Sequence, residues 1–300
     1  MRVTDKILQN NFLANLSLTT ERLYESETRV LTNKRVNKPS DDPVGVLNSL
    51  AIRTRIKYIE QYQRNISRTK ALMQNTESVV NQMSEIFQHV TSLAVQGASD
   101  SYGSQDKYSI SYEVNQLLEQ VYNASNTRSE SMYIFAGTRN DAAPYTATRN
   151  AQGEITEVKT NGSSGDIMRV IGDNIYMKAN INGEELFEAG QNIFDVLINL
   201  RDHLRENDSD KVSKDIDVLN ETAEKINNIQ SVIGSRVNRI DSADSRAEND
   251  LINFNEFLSN TEDIDASEAI MDYQMELLTL QSSLQAGSRL LLPKLGDFLR

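Results

Sequence analysis

Seven successive members of one heptad row, Ile52, Ile59, Ile66, Met73, Val80, Phe87 and Ala94, run through residues 43–98. Tyr62, Thr69, Thr76, Met83 and Val90 form the companion row, which its two threonines weaken. This spacing puts one apolar seam along a single helix, and such a seam needs a partner helix beside it. At 1.5 Å per residue the helix is about 80 Å long, more than a compact domain requires. A matching row lies late in the chain: Ile226, Ile233, Ile240, Ala247 and Phe254, with Val237, Leu251 and Leu258 beside it. Asp244 falls on that companion row and predicts a locally solvated stretch of seam.

The two ends repeat the pattern on a smaller scale. Leu8, Phe12, Leu16, Leu23 and Val30 share a face of a predicted helix over 5–31. Ile270, Leu277, Leu284 and Leu291 fall seven apart, with Tyr273 and Leu280 at the three-four offset, and Leu295 and Phe298 continue an apolar tail. These residues are the candidate assembly surface. A lone pair of terminal helices buries one seam of each, so the ends are expected to become ordered only when neighbours cover their other faces. A repeated head-to-tail contact of that kind closes into a ring or propagates as a helix.

Between the halves the texture changes. Residues 132–190 hold seven of the 13 glycines and lose the helical period. Ile155–Val158, Ile167–Ile171 and Ile175–Ala179 are separated by Asn161-Gly162, Gly172-Asp173-Asn174 and Asn182-Gly183, a pattern of short strands and hairpins. Helix breaks and restarts are equally local. Pro39 and Pro43 stop the first helix, and Asp42-Pro43 starts the second as an acidic cap followed by proline. Asn192 is placed to cap a helix at Ile193, and Asp265-Ala266-Ser267-Glu268 reads as a capping box. The acidic run Glu262-Asp263-Ile264-Asp265 is assigned to the same helix start, where acids complement the macrodipole.

The expected fold is therefore mainly α with a small β insert: an elongated antiparallel coiled-coil rod from the N- and C-terminal halves, carrying a β-rich outer domain. Five segments follow: an assembly helix and loop (1–42), N-terminal rod helices (43–131), the β-rich domain (132–190), C-terminal rod helices (191–264) and a C-terminal assembly helix (265–300).

Composition limits the chemistry. A net charge of −12 opposes binding to nucleic acid. There is no cysteine, and the two histidines, His89 and His203, stand alone on their helices, so no metal site or cofactor is expected. The insert holds no histidine and no convincing catalytic pair, which argues against an enzyme. No apolar run of 18 residues exists to span a membrane, and residues 1–12 lack a secretory signal pattern. By these rules alone the chain is cytoplasmic, for example as a coiled-coil scaffold.

Several motifs, in order, resemble the flagellin superfamily. Lys34-Arg35-Val36-Asn37-Lys38-Pro39-Ser40-Asp41-Asp42-Pro43-Val44 is similar to the loop after that family's first helix. Leu93-Ala94-Val95-Gln96-Gly97-Ala98 with Asp106-Lys107-Tyr108, and Ile233-Gly234-Ser235-Arg236-Val237-Asn238-Arg239-Ile240, match two more of its segments. Pro43 and the stretch Met132-Tyr133-Ile134-Phe135-Ala136-Gly137-Thr138 are closer to the hook-associated branch than to filament subunits. The resemblance implies a structural role as an adaptor ring between hook and filament. It implies export without a cleaved signal, an extracellular flagellar location, and an inter-subunit role for Lys38, Pro39, Ser40, Asp41, Asp42 and Pro43. The implied partners are further copies of the chain, a preceding hook-associated protein, flagellin, and a cytosolic export chaperone. A filament flagellin is the nearest alternative.

Overall fold

The computed structural model describes residues 2–129, 132–139, 141–162, 164–188 and 190–291. Helices dominate: α1 (Arg2–Thr32), α2 (Pro43–Ala98), α3 (Ser104–Ser125), α4 (Ile193–Glu206), α5 (Ser209–Glu262) and α6 (Ala266–Leu291). Between α3 and α4 lie three small antiparallel pairs, β1–β2 (Arg128–Ser129, Met132–Tyr133), β3–β4 (Tyr145–Arg149, Ile155–Thr160) and β5–β6 (Met168–Gly172, Ile175–Lys178). A single π-helical turn, Glu184–Glu188, follows them. The fold is thus mainly α with a small β insert.

The helix boundaries follow from side-chain chemistry. Asn192 accepts from Phe194 N–H at 2.9 Å and opens α4. Asn207, at φ 58°, turns the chain left-handed and ends it, its N–H reaching the carbonyls of His203 and Leu204. Asp265 accepts from the N–H groups of Ser267 and Glu268 and opens α6. Glu262 and Asp263 do not belong to that start. Glu262 is the last residue of α5 and is used elsewhere, so the acidic run divides between two roles.

The chain forms two compact units. The first comprises Met1–Tyr58 and Asp250–Arg300, the second Ile59–Asn249.

The second unit holds the hydrophobic core. Val80, Met83, Phe87 and Val90 of α2 meet Val114, Leu118 and Val121 of α3, Phe194, Leu197 and Leu200 of α4, and Leu219, Ile226 and Ile233 of α5. The hairpin β3–β4 adds Tyr145, Ile155 and Val158 to the same cluster. Phe135, Tyr145, Phe187 and Phe194 pack with ring centroids 5.2–5.5 Å apart, a geometry that suits aromatic quadrupoles. Arg201, only 3% exposed, donates to Asn115 Oδ1 and the Ile155 carbonyl, so the hairpin is tied to α3 and α4 by a buried cation with satisfied bonds. Arg205 grips Glu154 through both carboxylate oxygens and holds its acid down to about 2.

In the first unit α1 packs along α6. The inward row of α1 is Phe12, Leu16, Thr19, Leu23, Ser26 and Val30, at alternating four-three spacing. Two of its positions are therefore a threonine and a serine, not hydrophobes. Thr19, Thr20, Thr28 and Thr32 each donate a hydroxyl to the carbonyl four residues back, at 2.7–2.9 Å. At the far end of α6, Gly287 lies against the ring of Phe12, and a Cβ there would overlap that ring.

Candidate functional site: an assembly surface on the first unit

All buried hydrophobic residues among the described ones lie between Ile59 and Ala247, inside the second unit. The first unit has none, although its sequence is as rich in leucine and isoleucine. Many of its large apolar side chains face outward instead. On α1 these are Ile7, Leu8, Leu13, Leu18, Tyr24 and Leu31; on α6 they are Ile270, Met271, Met275, Leu278 and Leu284. The start of α2 adds Val44, Leu47 and Leu50, at 56–68% exposure. Apolar surface of this extent, spread over three helices of one unit, makes them the candidate surface for a partner.

The residues singled out from sequence divide into three groups. Phe12, Leu16, Leu23 and Val30 on α1, with Tyr273, Leu277 and Leu280 on α6, are half-buried where the two helices meet. Leu8, Ile270 and Leu284 point away from that seam and are about half exposed. Leu291 closes α6, while its side chain, and Leu295 and Phe298 altogether, lie outside the described residues. The heptad row Ile270, Leu277, Leu284 thus straddles two faces. The row that faces α1 is Ala269, Tyr273, Glu276, Leu280, Ser283 and Gly287, with small and polar members that hydrophobicity alone does not select.

The loop between α1 and α2 is a built object. Asp41 Oδ2 accepts from the N–H groups of Asn37 and Lys38 at 3.0 and 2.8 Å, and these bonds hold its carboxyl below the usual range. Asp42 Oδ1 accepts from Gly45 N–H at 2.8 Å and its Oδ2 from Arg35 at 3.1 Å, with the same effect on its acid. Gly45 is needed there because a Cβ would collide with the capping carboxylate. Lys38, Pro39, Ser40 and Pro43 stand exposed around this frame.

Sequence reasoning missed the clasp that fastens the loop. Glu262, 7% exposed, receives Arg53 Nε at 2.9 Å and Nη2 at 2.5 Å, and Lys34 Nζ at 2.7 Å. Arg53, then burial opposed by Lys34, leaves the Glu262 acid at about 2. The backbone follows: Arg35 N–H donates to the Glu262 carbonyl, and Lys34 bridges Asp263 in antiparallel fashion. Residues more than 200 positions apart meet here, and only the antiparallel pairing of the chain ends could have suggested it.

Residues 3–140 match the family model of the bacterial flagellin N-terminal helical region. That part of the chain is flagellin-like. Flagellar hook-associated protein 3 of Escherichia coli (strain K12) is 24% identical over 305 residues, covering 90% of this chain and 96% of that protein. The flagellar filament 33 kDa core protein of Treponema phagedenis is 23% identical over 275 residues, covering 90% and 88%. The solved structure of the flagellar junction protein FlgL from Legionella pneumophila superposes with a TM-score of 0.59 at 14% identity, covering 73% of this chain and all of that one. The chain is thus similar over most of its length to flagellar proteins, and it shares the fold of that solved structure. The matched region takes in α1, the clasped loop, α2 and α3.

Proposed function

We propose that this protein is a structural subunit of the flagellar hook–filament junction, forming an adaptor ring by self-assembly through its first unit. One observation carries the reading: among the described residues every fully buried hydrophobic side chain lies in the second unit, whereas the unit made of both chain ends leaves many of its own exposed. Surfaces of that kind, on helices at the chain ends, become ordered and dry when copies stack. The candidate surface is Leu8, Ile270 and Leu284 with the neighbouring exposed residues, supported by the seam residues beneath. The loop Lys38–Pro43, framed by Asp41 and Asp42, is the candidate inter-subunit element. The reading includes export to the extracellular flagellum, a preceding hook-associated protein on one side, flagellin on the other, and a cytosolic chaperone that covers the C-terminal helix before export. It assigns no catalytic role.

Deletion of the gene in its own host tests this. Hooks without filaments, with unpolymerised flagellin in the medium, support the junction. A second reading, filament subunit, is favoured by the full-length likeness to the Treponema phagedenis filament protein. It predicts hooks without filaments and without flagellin in the medium. Normal filaments and swimming would sink both.

A further inference from the structure

The charge of this chain is segregated. Residues 241–276 hold eleven carboxylates against one arginine, a local charge of −10 in a chain whose total is −12. Residues 53–70 hold six Lys and Arg against the single Glu60. Part of this complementarity is used within the chain: Arg53 binds Glu262, and Lys70 binds Asp241 at 2.7 Å. Three further cations stand apart from it. On α2, Lys57, Arg64 and Arg68 are exposed at seven-four spacing on the face opposite the buried row, in line with exposed Leu50. Among the described residues, no carboxylate lies within ion-pair distance of these three cations. On α5, Glu248 and Glu256 are exposed and flank Ile252, which is 59% exposed, at four-residue steps along one face. They too lack an ion-pair partner among the described residues.

We infer that the cationic stripe of α2 on one copy docks on the acidic stripe of α5 on a second copy. The inference rests on the self-assembling reading and adds to it a contact that also uses Arg64, Arg68 and Glu248 of the second unit. Charge complementarity selects the occupant. Each stripe repels its own kind, so contacts between two α2 faces or two α5 faces are disfavoured, and the α2-to-α5 contact is heterologous. A heterologous contact is the type that closes rings. Each stripe also offers one aliphatic side chain, Leu50 or Ile252, to be covered as the charges meet. At physiological salt the Debye length is about 8 Å, so the stripes act at contact distance, setting partner and register rather than reaching far into solution.

The absence of cysteine makes the test direct. Full-length Arg64→Cys chain is mixed in turn with full-length Glu248→Cys, Ile252→Cys and Glu256→Cys chains, oxidised, and run on a non-reducing gel. At least one mixture should give about tenfold more disulfide-linked heterodimer than homodimer from either chain alone, and 0.5 M NaCl should reduce that excess. Heterodimer no more abundant than homodimer in all three mixtures overturns the inference. A complementary pair, Arg68→Glu and Glu248→Lys, guards against a geometric miss: sedimentation should show each single variant associating less than the native chain and their mixture recovering. Association unchanged in both variants also overturns it. Neither result bears on the deletion phenotype, so the junction reading stands or falls separately.

Discussion

Helices α2 and α5 each run through both units, and along each the same heptad row changes character. In α2, Ile66, Met73, Val80 and Phe87 are fully buried, whereas Ile52 of the same row is half exposed. In α5, Ile226, Ile233 and Ile240 are fully buried, whereas Phe254 of the same row is half exposed. The sequence period does not change; what changes is how many elements cover it. The second unit adds α3, α4 and a hairpin to the two long helices, and their side chains close the core. In the first unit α1 and α6 present serine, threonine and glycine at inward positions. The comparison teaches that a heptad row reports the direction of a helix face, and not the depth to which that face is buried.

Truncation should separate the units most sharply. Phe194→Ala removes a fully buried ring from the aromatic cluster and should cost about 3–5 kcal/mol, read as a large drop in the thermal midpoint. If the midpoint hardly moved, the core assigned to the second unit would be wrong. Gly287→Ala, within the first unit, should force the Phe12 ring aside and cost about 1–3 kcal/mol locally. Faster hydrogen exchange in α1 and α6, with α3 and α4 unchanged, is the expected pattern.

The two acidic anchors allow a finer comparison. Glu262→Gln should cost about 1–2 kcal/mol, because the carboxylate is buried while Arg53 and Lys34 remain partly in water. Exchange should then rise at residues 33–37, whereas Glu154→Gln should raise it in β3 and β4. Both carboxyls are depressed in the folded state, so their contribution is present above pH 4.5 and is lost as pH falls toward about 2. Acid titration of both variants should be flatter than that of the native chain across that window.

The smallest effect on the isolated chain should come from the surface proposed for assembly. Met271→Ala and Leu278→Ala should change stability by no more than about 0.5 kcal/mol, since both side chains are already exposed. The same pair should fail to restore filaments to the deletion strain. Full restoration would remove these residues from the assembly surface.

Much of this was legible in the residues. The helix starts at Pro43, Ile193 and Ala266, the strands from Ile155 onward and the long seams all follow from period and capping chemistry, which act over a few positions; β3 (Tyr145–Arg149) carries no apolar run and does not. The sorting of Leu277 from Leu284, and the role of Glu262, were not legible. Both depend on which neighbour a helix face meets, and a chain segment carries no local record of that. Glu262 sits beside an N-cap in sequence and was indistinguishable from helix-start acids until Arg53 and Lys34 were seen to converge on it.

The hydroxyls of Thr19, Thr20, Thr28 and Thr32 bear on how α1 can change its surroundings. Each already donates its proton to a carbonyl of its own helix. A neighbour that displaced water from them would leave no donor stranded, so the usual desolvation penalty for a buried hydroxyl is largely absent. At these four positions the helix can pass from wet to dry surroundings with its hydroxyls as they stand, as suits a part made in one place and fitted in another.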